Sequence, residues 1–114
     1  MRPSTCDCIV LAAGLSSRAS GNKLLATIDE LPLVAHVVRT ALRATRRVIL
    51  VLGHDADAVL TAARAAASQD EYDRVLPVLN RDYAAGMFAS IQVGMRAVST
   101  EWFFIAPGDL PDLT

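Results

Sequence analysis

Two loops of this 114-residue chain hold the residues whose types and spacing can do chemistry. The first reads Leu11-Ala12-Ala13-Gly14-Leu15-Ser16-Ser17-Arg18-Ala19-Ser20-Gly21-Asn22-Lys23. Ala12, Ala13 and Gly14 are small, so a ring or ribose can lie against bare backbone, and Gly14 can take a positive φ and turn the chain sharply. Ser16, Ser17 and the backbone N–H groups can donate to phosphate oxygens. Arg18 and Lys23 add fixed positive charge where a triphosphate needs it. Lys23 is the only Lys in the chain; every other basic residue is Arg. The spacing is not that of a Walker loop, because Asn22 stands between Gly21 and Lys23, nor that of the dinucleotide pattern Gly-x-Gly-x-x-Gly, because position 16 is Ser. As a sequence, the loop can also be read as a polar surface turn. Its place after the first strand shifts the balance toward phosphate binding.

The second loop reads Ala106-Pro107-Gly108-Asp109-Leu110-Pro111. A carboxylate at Asp109, facing a triphosphate, is suited to Mg²⁺, which takes one or two protein carboxylates together with phosphate oxygens. The same residues can form an ordinary Gly-Asp-x-Pro turn. A third segment, from Leu79 to Ser90, contributes Asn80, Gly86 and Ser90 as residues that could face a ligand. His54 is read first as a helix-start residue and second as a ligand contact, and His36 as structural.

These loops need elements to hold them. Four apolar runs, Cys8–Ala12, Val48–Leu52, Val75–Leu79 and Trp102–Ala106, are too short and too β-branched or aromatic for helices. They do not alternate, so they read as strands buried on both faces, as in a parallel sheet. Three helical patterns separate them. Leu33, Val34, Val37, Val38, Ala41 and Leu42 form one stripe opposite Arg39 and Arg43, with Pro32 in the first turn. Asp55 to about Ala67 forms the second, with Asp55 as N-cap and an inner face of Val59, Leu60, Ala63 and Ala66 or Ala67. The third has Met87, Ile91, Met95 and Val98 at three- and four-residue spacing. Strict alternation of strand and helix predicts right-handed crossovers and a Rossmann-like three-layer α/β/α fold. Pro77 cannot donate to a ladder, which puts the third strand at an edge and predicts the strand order 3-2-1-4. In that order the first and fourth strands are neighbours at the topological switch point. Ligands bind such sheets beyond the carboxyl ends of the strands, so both loops meet there.

Composition narrows the classes. Apolar residues make up 53% and charged residues 20%, which excludes a disordered chain. The net charge is −1, against the basic excess of a nucleic-acid binder. No apolar run is long enough to span a bilayer, and the stretch from Cys8 to Leu15, with Asp7 before it, is a poor secretory signal. Cys6 and Cys8 are badly placed to bridge one another and read as small residues of a reducing cytosol. A cytoplasmic protein is expected.

Together these residues carry a family resemblance. Leu11-Ala12-Ala13-Gly14-x-Ser16-x-Arg18, Asn22-Lys23-Leu24, Asn80, Gly86-Met87, Ser90 and Gly108-Asp109-x-Pro111 resemble the MobA-like nucleotidyltransferases, and within them the molybdenum cofactor cytidylyltransferases. The resemblance runs from about Cys8 to the last residue. It implies a nucleotide-diphospho-sugar-transferase-like fold and transfer of a nucleotidyl group from an NTP to an acceptor phosphate, such as that of molybdopterin, with Mg²⁺ and release of pyrophosphate. It implies that Leu11, Ala12, Ala13 and Gly14 hold base and ribose, that Arg18 and Lys23 bind the triphosphate, and that Asp109 binds Mg²⁺. Arg18, Lys23 and Asp109 are thus the expected catalytic residues. Ser16, Asn80, Gly86 and Ser90 are the further expected substrate contacts. Cytidylyl members tend to carry Ala-Ala-Gly where guanylyl members carry Ala-Gly-Gly, so Ala12-Ala13-Gly14 leans toward CTP.

Residues 1–114 are read as a single nucleotide-binding α/β domain, C-terminally truncated against the family and slow or inactive alone. Two other readings stand beside the first. A sugar-phosphate or methylerythritol-phosphate nucleotidyltransferase keeps the chemistry and changes the acceptor. A non-catalytic nucleotide-binding module is favoured by Ala19-Ser20, where the family usually carries Met-Gly.

Overall fold

A computed structural model describes residues 5–13, 23–65 and 67–107. Strands β1 (Asp7–Ala12), β4 (Arg47–Leu52), β5 (Val75–Leu79) and β6 (Phe103–Pro107) form one sheet in the order β5-β4-β1-β6. Every pairing in it is parallel. This is the predicted Rossmann-like order, with Pro77 in the middle of an edge strand. β1 and β4, the inner strands, are almost entirely buried. That explains their continuous apolar sequence.

Helices cover both faces. Helix α1 (Leu33–Ala44) turns its predicted stripe inward and, with α2 (Ala56–Ala63), buries Cys8, Val10, Ala12, Val48, Leu50 and Leu52 on one face. Burial there pushes the Cys8 thiol up to about 11. Pro32 is the N-cap of α1 rather than a first-turn residue. The second helix ends sooner than its pattern predicts. Val59 and Ala63 are buried, and Arg64 is the C-cap. The following alanines offer too little apolar surface to keep a helix on the sheet; Ala66 lies outside the described residues. A separate short helix, α3 (Gln69–Asp73), begins instead at Ser68. Its capping box is complete, with Glu71 N–H donating to Ser68 Oγ and Ser68 N–H to Glu71 Oε1.

Helix α4 (Met87–Ala97) covers the opposite face, over Ile9, Ile49 and Val51. Of its predicted inner stripe, Val98 packs on the core, and Met87 and Met95 do not. Met87 and Met95 are exposed, and the buried residues are Ser90 and Gly94. The sheet supplies the bulk at this contact. A Cβ on Gly94 would lie 2.7 Å from Ile9 Cγ2 and 3.1 Å from Val51 Cγ2, so the helix must be thin at its closest point, with Val93 and Ala97 packing partly buried beside it.

A hairpin that the sequence pattern does not predict, β2 (Thr27–Ile28) paired antiparallel with β3 (Leu31–Pro32), stands between the first loop and α1. Its turn residues Asp29 and Glu30 have φ of 49° and 69°. Side chains other than glycine are disfavoured there. Glu30→Gly is therefore expected to raise the unfolding free energy by about 0.5–1 kcal/mol, checked by chemical denaturation.

Among the described residues, β5 and β6 are the outer strands of the sheet, and they differ. β5 carries Pro77 at its middle, whereas β6 carries Pro107 only at its end, has no charged residue and leaves Phe104 and Ile105 substantially exposed, with Trp102 just before it. Among the described residues, no helix is long and apolar enough to cross a membrane.

Candidate functional site at the carboxyl ends of the strands

The switch point falls between β1 and β6. Leu11 pairs with Pro107, so the chain enters the first loop and the Asp109 loop from neighbouring strand ends on the same side of the sheet. Parallel neighbours lie roughly 4.8 Å apart, so the two loops start side by side. Gly14, Ser16 and Arg18 of the first loop, and Asp109 of the second, lie outside the described residues.

Ala12 and Ala13 are buried and Leu11 half-buried. Leu11 and Ala13 pack in the α4-side core and Ala12 in the other. A ligand at this strand end would therefore meet their backbone rather than their side chains. The backbone at Ala13 is fixed by two neighbours. His54 N–H donates to Ala13 O at 3.3 Å. Gly53 comes so close that a Cβ on it would lie 2.8 Å from Ala13 O and 2.5 Å from Tyr83 Cβ. Glycine is required here by close approach, since no larger residue fits between the β1 end and the Tyr83 turn.

The third predicted segment closes on the same place. Asn80 N–H donates to Leu52 O at 2.7 Å, which ties the end of β5 to the end of β4. Asn80 and Ser90 are both buried. Asn80 Nδ2 donates to Ser90 Oγ at 2.9 Å, and Asn80 Oδ1 accepts from Asp82 N–H at 3.0 Å. These bonds set the start of a 3-10 turn, Tyr83–Ala85, and dock it on α4. Gly86 follows with φ 110° and open space where a Cβ would be; its backbone angle, not crowding, calls for glycine. The structure thus joins Ala13, Asn80 and Ser90 through Gly53 and Tyr83, which the sequence reading did not single out. The signal available was the Gly-His pair ending an apolar strand on the ligand side. His54 itself stands beside Tyr83, with ring centroids 5.9 Å apart, and places Nε2 3.3 Å from Asp55 Oδ2. Asp55, the N-cap of α2, adopts a left-handed conformation in place of the side-chain cap expected from the sequence.

Lys23 opens a 3-10 turn, Lys23–Leu25, that the buried Leu24 anchors in the core beneath α1 and α2. The segment carrying Lys23 is thereby fixed to the body of the domain. Among the described residues, no group of three His, Cys, Asp or Glu side chains could hold a metal ion.

Comparisons with known proteins agree with this frame. The family model for the MobA-like NTP transferase domain matches residues 8–114. The molybdenum cofactor cytidylyltransferase of Escherichia coli (strain K12) is 33% identical over 114 residues, covering 97% of this chain and 55% of that protein. The probable molybdenum cofactor guanylyltransferase of Bacillus mycoides (strain KBAB4) is 28% identical over 111 residues, covering 97% and 52%. Among solved structures, a nucleotidyl transferase from Methanothermobacter thermautotroptrophicus superposes with a TM-score of 0.80 at 25% identity, covering 95% of this chain and 52% of that one. A protein of Mycobacterium tuberculosis H37Rv gives a TM-score of 0.70 at 28% identity, covering 97% and 55%. The chain spans about half the length of the curated relatives it matches.

Proposed function

Since this chain belongs to the MobA-like NTP transferase domain family, we propose that it forms the nucleotide-binding part of a nucleotidyltransferase. The enzyme would move CMP from CTP to a phosphorylated small-molecule acceptor of the molybdopterin kind. The observation that carries this reading is the pairing of Leu11 with Pro107. It starts the first loop and the Asp109 loop at adjacent strand ends, where a triphosphate can be reached from both.

In the proposed reaction an acceptor phosphate oxygen attacks the α-phosphorus of CTP. The new P–O bond forms as the bond from the α-phosphorus to the bridging oxygen breaks, and that oxygen leaves with pyrophosphate. An ionised phosphate is already a nucleophile, so no general base is needed. Arg18 and Lys23 would neutralise charge building on the α-phosphate and the leaving group. Asp109 would supply the protein carboxylate for Mg²⁺, which when bound neutralises phosphate charge. The small Ala12 and Ala13, with their fixed backbone, would seat base and ribose. CTP is favoured over GTP by Ala12-Ala13-Gly14 and by the higher identity to a cytidylyl relative than to a guanylyl one.

The test is calorimetric titration of the chain with CTP, GTP and ATP, with and without Mg²⁺. CTP is expected to bind tightest and to need Mg²⁺. Lys23→Ala and Asp109→Ala are each expected to weaken it about 10- to 100-fold, the loss of a charge-assisted contact to phosphate. Metal-independent binding that both variants retain would refute the proposal. Tighter binding of GTP would move the chain to the guanylyl branch.

A further inference from the structure

His54 follows β4 at the carboxyl end of the sheet and is bonded directly to the proposed nucleotide seat, since its N–H donates to Ala13 O. Gly53 before it is pressed against both Ala13 O and Tyr83, so this contact has little room to drift. The side chain is held as well. Asp55 Oδ2 lies 3.3 Å from His54 Nε2, and the Tyr83 ring stands beside the imidazole, with planes tilted by 48°. Asp55 takes this place in a left-handed conformation, φ 55° and ψ 36°, which disfavours a residue with a Cβ. The two side chains are 35% and 44% exposed, so the pair adds little to stability. What it fixes is the place of a proton. A carboxylate can only accept, so the nitrogen that faces it carries the hydrogen. In the neutral ring Nδ1 then keeps its lone pair, and among the described residues no donor is bonded to it. The imidazole thus offers one acceptor beside the Ala13 backbone, with an aromatic wall next to it. A flat ring that carries an N–H donor fits both features.

We propose that His54 is a specificity-determining residue of the nucleotide site: its Nδ1 accepts a hydrogen bond from the exocyclic amine of a base seated on the Ala12–Ala13 backbone, beside the Tyr83 ring. This role rests on the reading of that backbone as the seat of the base. Cytosine carries an amine where uracil carries a carbonyl oxygen. The lone pairs of that oxygen would face the lone pair of Nδ1, so CTP is accepted and UTP refused. Guanine and adenine also carry amines. The contact therefore excludes uracil and leaves the choice between pyrimidine and purine to the rest of the seat.

The test is calorimetric titration with CTP and with UTP, each with Mg²⁺ at pH 8. Wild type is expected to bind CTP about tenfold tighter than UTP, the worth of one hydrogen bond made rather than opposed. His54→Leu keeps the backbone bond to Ala13 and removes the acceptor, and its preference is expected to shrink to within about twofold. His54→Asn, whose Oδ1 stands about where Nδ1 does, is expected to restore it. Asp55→Asn leaves the imidazole in place. Its amide N–H can donate to Nε2 and so move the ring proton to Nδ1, and the preference for CTP is expected to narrow at least threefold. A preference that survives in His54→Leu or in Asp55→Asn would overturn the proposal. So would an equal loss of both nucleotides in His54→Leu, the mark of a merely structural role. So would an affinity for 2′-deoxy-CTP that His54→Leu leaves untouched while that for CTP falls, since the partner would then be the ribose. Wild type binding neither nucleotide would overturn the nucleotide reading and the role of His54 with it. Wild type binding CTP and UTP equally would overturn the role of His54 alone.

Discussion

Replacing Asp7 with Ala is expected to lower the unfolding free energy by about 3 kcal/mol, a large part of the roughly 5–15 kcal/mol that holds a domain together. Asp7 begins β1 at the end of the sheet opposite the candidate site, and its side chain is fully buried. Its carboxylate accepts from Ser99 N–H at 2.9 Å, from Arg46 Nε at 3.0 Å and from Arg47 Nη2 at 3.2 Å. Its own N–H donates to Thr100 Oγ1 at 3.1 Å. One residue thus joins the starts of β1 and β4 and the connection into β6. Arg46 is half exposed and its bond adds little. Arg47 and Ser99 N–H account for most of the loss, because Ala would leave Ser99 N–H without its carboxylate acceptor and Arg47 Nη2 with only neutral ones, chiefly Ala97 O at 2.8 Å. Burial alone would push the Asp7 carboxyl up, but the Ser99, Arg47 and Arg46 donors outweigh it and hold it below the usual 3.8. The sign follows. The contribution is full above about 3.8, the unfolded value, and disappears as pH falls through the lower folded value. Denaturation at pH 7 and at pH 3 should show wild type losing stability on acidification, and Asp7→Asn losing less.

Gly53→Ala is expected to remove about 2–3 kcal/mol of stability and, unlike the Asp7 change, to disturb the site directly. The added Cβ would meet Ala13 O at 2.8 Å and Tyr83 Cβ at 2.5 Å. Neither atom can rotate away, so either the first loop or the Asn80–Tyr83 turn has to shift. CTP affinity should fall about tenfold or more, because the Ala13 backbone moves with the loop. The partner atoms sharpen the check. Tyr83→Ala removes the 2.8 Å meeting with Cγ but keeps the closer one with Cβ and should not rescue Gly53→Ala, whereas Tyr83→Gly removes both, leaving the meeting with Ala13 O, and should recover part of the stability. Urea denaturation of the single and double variants distinguishes these outcomes.

The architecture was legible because two strong signals coincide. Cys8–Ala12 and Val48–Leu52 have no polar alternation, and Pro77 marks an edge, so strand order followed from sequence. The α4 stripe misled because periodicity reports apolar residues, not which side of a helix must be thin. Gly94 meets Ile9 only in three dimensions, and nothing local to Met87 or Met95 says so. The hairpin escaped because its turn is Asp29-Glu30, without the glycine that usually marks a two-residue loop. Asp7 was visible only as a charge before an apolar run; its partners lie about forty and ninety residues away. At the site, Asn80 and Ser90 were picked out as ligand contacts, and the structure shows them bonded to each other in a buried pair. Small and polar residues were legible as site-forming. Which of them brace the others required the fold.

Among the described residues, the two outer strands would receive a neighbour differently. At β5 an incoming strand meets Pro77, a residue with no N–H to offer; at β6 it meets an uncharged row with Phe104 and Ile105 already out of the core and a proline, Pro107, only at its end. A further strand is therefore better received beside β6, where it would widen the sheet next to the strand end that leads into the Asp109 loop.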